Sequence, residues 1–210
     1  RSILNYEGFR MGLFVDGDLG NFRDDYAGCH VKSSTGFTYN GDDNDDGPDG
    51  FGALSNGMYC GTQFLNRSMD HFMYYNNNFD PISGIPQMAI NYYNYMQGKW
   101  KNGIDLRWRS KNGSGGIASN ANWMWPMDVK APDGQFWSEV SDGNTPEDRR
   151  YVQSTKIGEV KPGEIFSLDY AITVGEFFGS GLKGLPGKAS LVKEWYDNQQ
   201  FPSCLDFDQL

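Results

Sequence analysis

Residues 9–25, FRMGLFVDGDLGNFRDD, hold the transition that decides the fold. Phe9 to Val15 is an apolar run of strand length, and it stops at Asp16, where the chain enters a loop rich in Gly and Asp. A short apolar run closed by such residues is the mark of a strand ending in a turn. The pattern then repeats. Tyr26 to Lys32 and Gly36 to Tyr39 read as the next two strands and lead into a second acidic loop, residues 40–52, NGDDNDDGPDGFG. Tyr59 to Leu65 reads as another strand.

Further along, Met69 to Phe79 fits neither period cleanly. Pro86 to Trp100 is the predicted helix: Met88, Tyr92, Met96 and Trp100 recur every four residues, Pro86 suits its start and Gly103 its stop. Ile104 to Trp137 breaks into short strands and loops around residues 111–116, KNGSGG. Tyr151 to Thr155 is a short strand, Lys161 to Glu164 a turn, and Ile165 to Val174 alternates as a strand does. Pro186 to Tyr196 is predicted as a short amphipathic helix through Leu191, Val192 and Trp195. Strands dominate, so the expectation is one mostly β, β-sandwich-like (jelly-roll-like) domain over residues 1–210. One or two short helices and long metal-binding loops complete it.

Composition narrows the function. With 38% hydrophobic residues the chain has material for a core, and 15% aromatics carry much of it. Charged residues are 21%, which argues against disorder. A net charge of −9 disfavours nucleic acid, whose phosphates call for a basic surface, and it disfavours anionic lipid. No stretch approaches the roughly 20 apolar residues of a membrane helix, so no membrane insertion is expected. No signal peptide is read in the first residues, and Arg1 stands just ahead of a strand-like run, so the expectation is a piece of a longer chain. Two histidines and no CxxC pair leave little for zinc.

The acid is concentrated. Nine of the 20 Asp residues lie between Asp16 and Asp49, and no Lys or Arg occurs from Ser33 to Asn66. The first loop offers Asp16, Asp18, Asp24 and Asp25. The second offers Asp42, Asn44 and Asp46 followed by Gly47, the alternating opening of a calcium loop. The twelfth position from Asp42 is Ala53 rather than Glu, so the loop is not an EF-hand. Clustered Asp without basic partners would repel one another, and a cation relieves that repulsion. Ca2+ is the expected ion, because Mg2+ rarely occupies all-protein cages.

Several blocks carry a resemblance: FVDGDLGNFRDDYAGC and YNGDDND, then NYYNYMQGKWKNG, NWMWPMD, WSEVSDGNTPEDRRYVQST, VKPGE and KEWYDNQQF. In that order they resemble a segment of large, uncharacterised secreted or cell-surface proteins of the Bacteroidota, exported by the type IX secretion system. The resemblance covers nearly the whole chain and implies an extracellular or cell-surface location more strongly than an activity. One departure stands out: the family carries Asp after the Cys of the DDYAGC block, where this chain has His30. In an exported chain, Cys29 and Cys60 are the expected disulfide and Cys204 is left over; three unpaired thiols are the alternative.

No nucleophile elbow, zincin helix or phosphate loop is present. Glu139, Glu164, Asp169 and Glu176 are carboxylates from which a glycosidase pair would have to come, and nothing selects two of them. The block Asp148-Arg149-Arg150 suits either a grip on an anionic ligand or an Arg fork that pins a loop. Trp108, Trp123, Trp125 and Trp137 lie in loop-rich sequence and are either core or a sugar-binding platform. The expected function is a calcium-stabilised extracellular binding or structural module, serving adhesion or surface assembly. Its partners would be other domains or subunits, or a glycan. The rival is an extracellular hydrolase or carbohydrate-binding domain acting on polysaccharide.

Overall fold

The longest strand among the described residues runs from Arg149 to Val160, between two strands that precede it in sequence by many residues. The computed structural model describes residues 4–41, 58–111, 113–176 and 184–200. In chain order the elements are β1 (Tyr6–Asp16), β2 (Asp25–His30), β3 (Thr35–Asn40), β4 (Met58–Phe64), β5 (His71–Asn76), α1 (Ala89–Met96), β6 (Arg149–Val160), β7 (Tyr170–Glu176) and α2 (Gly184–Asn198). They form two antiparallel sheets packed together, ordered β1-β6-β5 and β2-β3-β4-β7. The fold is therefore mostly β and sandwich-like. No helix among the described residues is long and apolar enough to cross a membrane.

Register explains the interior. Leu13, Gln153 and Phe72 share one row of the three-stranded sheet, and Val15, Tyr151 and Tyr74 the next. Side chains of one row project to one face. This face meets β3 at Gly36. Gln153 Oε1 accepts the Gly36 N–H at 2.8 Å, and the Tyr151 hydroxyl donates to Gly36 O at 3.1 Å. A Cβ at Gly36 would stand 2.6 Å from Gln153 Oε1 and 2.8 Å from both the Phe72 and Tyr151 rings. The sheets approach this closely only because residue 36 has no side chain. The outer face of the four-stranded sheet packs Phe37 and Tyr59 against Leu185 of α2.

Among the described residues the long segment between α1 and β6 carries no strand of its own, yet it seals both sheets. Cys29 of β2 bridges Pro126, and Phe72 of β5 bridges Trp123, both in parallel fashion. A single turn of chain thus closes one edge of each sheet. Its tryptophans face inward: Trp108, Trp125 and Trp137 are buried and Trp123 is half-buried. The Trp125 and Trp137 indoles both donate to Asp142 Oδ2, at 2.9 and 2.6 Å. Three of these rings are core and Trp123 packs against it, so they do not form the exposed platform considered from sequence.

Helix α1, strand β7 and the cysteines depart from expectation. Helix α1 is shorter than 86–100, because Met88 is extended and Gly98 has a left-handed φ of +69°. Its buried face carries Asn91, Asn94 and Tyr95, whereas Met88 of the expected stripe is 62% exposed. The asparagines are buried because both donate to Lys101 O, and Asn91 Oδ1 also takes the Gln87 and Met88 N–H groups. Strand β7 begins at Tyr170 rather than near Ile165; the residues before it are spent on loop bonds, such as Leu65 N to Asp169 O. Cys29 and Cys60 are free thiols. They lie on β2 and β4, opposite Gly36 and Thr38 of the intervening β3. Two strand spacings, about 9–10 Å, exceed the roughly 7 Å Cα separation a disulfide spans. Cys204 lies outside the described residues.

Two outcomes follow from this packing. Gly36→Ala is expected to destabilise the domain by about 1–3 kcal/mol through overpacking, measured by urea denaturation; a variant as stable as the parent would contradict the close approach. His71 accepts a bond from Arg10 Nη1 at 3.1 Å, and burial, then Arg10, lowers its pKa to about 4, against the pull of Asp70. The folded value lies below the ordinary 6.5, so the neutral ring stabilises the fold above that pH, and the contribution is lost as pH falls toward 4. Melting temperature should drop across this window in the parent and drop less in His71→Gln.

Candidate metal centre

Strand β1 ends at Asp16, directly opposite Arg150 of β6. The chain must then turn at once, because a Cβ on Gly17 would lie 2.5 Å from Thr38 Oγ1, which donates to Gly17 O. Past that contact Asp18 is exposed while Leu19 is buried, with its N–H on Asp25 Oδ2 at 3.2 Å. Asn21 caps the short 3-10 turn Phe22–Asp24: its Oδ1 accepts the Arg23 N–H. The Asp-x-Asp spacing and the two glycines therefore make a tight reversal that returns Asp18 over the end of β1.

Asp16 and Asp18 meet a third carboxylate, Asp148, which immediately precedes β6. One oxygen of each lies within 4.8 Å of the others. Asn77 holds Asp148 by donating to its Oδ2 at 2.7 Å. Arg150 donates to Asp16 Oδ1 at 2.8 Å and to Asn77 Oδ1 at 2.8 Å. Asp148 Oδ1 is closed off from solvent and accepts no hydrogen bond; Arg150 Nε stands 3.7 Å from it. Burial, then Asp16 and Asp148, raises the Asp18 carboxyl above its ordinary pKa, and Arg150 opposes the shift. Three carboxylate oxygens at this separation could hold a metal ion, with further positions left for carbonyls or water.

The other predicted ligands are placed differently. Asp24 accepts from Asn21 Nδ2 at 2.8 Å, and Asp25 is buried at the start of β2, holding Leu19. Neither joins the carboxylate group. Asp42, Asn44 and Asp46 lie outside the described residues. His30 bonds Ser33 Oγ at 2.7 Å and sits 3.6 Å from Asp128, also apart from the cluster. Asp148 and Arg150 were missed as site residues. The only signal for them was the Asp148-Arg149-Arg150 block itself, which strand alternation splits, with Arg149 turned to the opposite side.

Arg149 makes a buried hub there. Its Nη2 lies 2.9 Å from Glu139 Oε2 and its Nε 3.1 Å from both Glu139 oxygens. Glu139, 0% exposed, also accepts Ala27 N–H at 2.7 Å and Asn144 Nδ2 at 3.1 Å. Arg149 further donates to Asn76 Oδ1 and Thr145 O, and lies over the Tyr74 ring. Burial pushes the Glu139 carboxyl up to about 7, opposed by Arg149, the Ala27 N–H and Asn144. The pair pins the loop to the sheets, so Glu139 has no access to a substrate. Of the other carboxylates considered for hydrolysis, Glu164 accepts the Lys161 N–H in its own turn and Asp169 accepts from the Tyr196 hydroxyl. The Glu176 side chain lies outside the described residues.

No protein-family model matches the chain, and neither curated proteins nor solved structures yield a match.

Removing one member of the hub leaves an uncompensated buried charge. Glu139→Ala is expected to cost about 3–5 kcal/mol in urea denaturation. A loss below about 1 kcal/mol, the size of an exposed pair, would show that the pair does not hold the loop.

Proposed function

We propose that the chain is a calcium-braced, non-catalytic binding or structural module of a secreted or cell-surface protein. The observation that carries the reading is the convergence of Asp16, Asp18 and Asp148, drawn from chain positions more than a hundred residues apart, onto one point. Asp148 Oδ1, closed off from solvent without a hydrogen bond, is the oxygen that gains most from a cation. The ion would tie the turn after β1 to the start of β6, bracing a loop rather than activating a substrate. Export to the cell surface rests on the ordered blocks that resemble type IX-secreted proteins. Partnership with neighbouring domains is supported by β7, an edge strand on which Tyr170, Ile172 and Val174 form an exposed apolar row. Natural proteins cover or blunt such an edge.

Arg150 supplies part of the neutralisation that a cation would provide. The test must therefore be thermodynamic. An ion that binds only the folded state at a hundred times its dissociation constant adds about 2.7 kcal/mol. Calcium is expected to raise the melting temperature, chelator to lower it, and Asp16→Asn with Asp18→Asn to remove most of the difference. Identical melting curves in calcium and in chelator would overturn the proposal.

A further inference from the structure

A cleft of about 820 Å3 opens between α2 and the chain ends of β3 and β4. It lies at the turn end of the β2–β3 hairpin, where His30 pairs with Thr35. The carboxylate cluster lies toward the other end, beside Asp25 and Thr38. The volume is within the range of small-ligand sites.

Gln63 lines this cleft and is only 1% exposed. Its Nε2 donates to Ala189 O of α2 at 3.0 Å, while its Oε1 is buried and accepts no hydrogen bond. An acceptor held in this way, on a rigid strand and against a helix carbonyl, calls for a donor from outside the fold. The walls add hydroxyls and a carboxamide from Ser68, Ser190 and Asn198. Three cationic side chains, Lys32, Arg67 and Lys193, stand against two carboxylates, Glu194 and Asp197. Lys193 and Asp197 pair with each other along the helix. Arg67 is positioned by Ser167 O at 2.8 Å and by the Phe166 ring. In a chain of net charge −9, this is a local excess of positive charge. Among the described lining residues the rings are those of Phe64 and His30, both buried, at 2% and 8% exposure, so a nucleobase finds no stacking face there. Recognition here runs through hydroxyl groups and charge.

We propose that this cleft binds a short anionic glycan, an oligosaccharide whose sugars carry carboxylate or sulfate groups. A sugar hydroxyl donates to Gln63 Oε1, and the acidic group is set against Arg67 and Lys32. Polyhydroxyl ligands both donate and accept, which matches the mixed lining; the charge-assisted contacts supply selectivity over neutral sugars. The proposal rests on the binding-module reading and names its ligand, but it uses no cation at the carboxylate cluster.

The test is isothermal titration of the full chain with trigalacturonate and with a chondroitin sulfate disaccharide, using cellotriose as the neutral probe. Each titration is run once in calcium and once in chelator. At least one acidic probe is expected to bind more than about tenfold tighter than cellotriose, with affinity falling as salt rises. Arg67→Gln, a change at a half-buried position off the core, should weaken binding by about tenfold, the size of one charge-assisted bond. Gln63→Met should weaken acidic and neutral sugars alike, with its fold checked by circular dichroism. Absence of binding by both acidic probes overturns the proposal, as does equal binding of cellotriose or an unchanged affinity in Arg67→Gln. A melting response to calcium without sugar binding rejects the glycan site alone. Sugar binding without that response rejects the calcium brace alone.

Discussion

The buried pair Glu139–Arg149 is the constraint on which the rest of the structure depends. A charge taken out of water at this depth is tolerated only when every oxygen and N–H it exposes to the interior finds a partner. Here the partners come from everywhere: Ala27 on β2, Asn76 on β5, Thr145 and Asn144 in the loop, and Arg149 itself on β6. Satisfying this one ion pair therefore ties both sheets to the long segment that closes their edges. The pair is a statement of geometry more than a source of net stability, since well-packed apolar groups of similar volume stabilise as well or better.

That hub also aims its neighbours. Successive residues of a strand face opposite ways, so burying Arg149 obliges Asp148 and Arg150 to turn outward, toward the end of β1. The β1–β6 register then sets Asp16 opposite Arg150, and Gly17 folds Asp18 back over both. The carboxylate cluster is thus a consequence of core packing on one face of a strand end. Its charge balance is local too: Arg150 offsets part of a repulsion that looked uncompensated along the acidic loops.

Much of the fold was legible because the first four strands are short apolar runs cut by Gly, Asn and Asp. Helix α2 was legible as a helix, although it buries Leu185 and Ala189, while Leu191, Val192 and Trp195 of the expected stripe are half-buried. Strand β5 hid because Phe72 to Tyr75 are all buried, on both faces, which erases alternation. Helix α1 misled because its interior face is built from asparagines whose job is to bind the carbonyl of Lys101, a polar purpose that no hydrophobic period reveals. At the site, Asp16 and Asp18 were visible in their spacing. Asp148 was not, since nothing along a single chain states that residue 16 and residue 150 are strand partners. The cysteines failed for the same reason: proximity in an acidic, loop-rich third said nothing about β3 running between them.

The central place of β6 has a kinetic side. Its partners β1 and β5 are made long before it, and neither pairs with the other. On a ribosome, β2, β3 and β4 can zip by local hairpin contacts, while β1 and β5 wait with bare edges for more than seventy residues of further chain. Pairings of such long sequence separation close slowly, because loop entropy is lost before contacts reward it. Unpaired edges exposed during that delay invite association with other nascent chains. Strand β7 reaches β4 later still, so each sheet is complete only when its C-terminal strand has emerged.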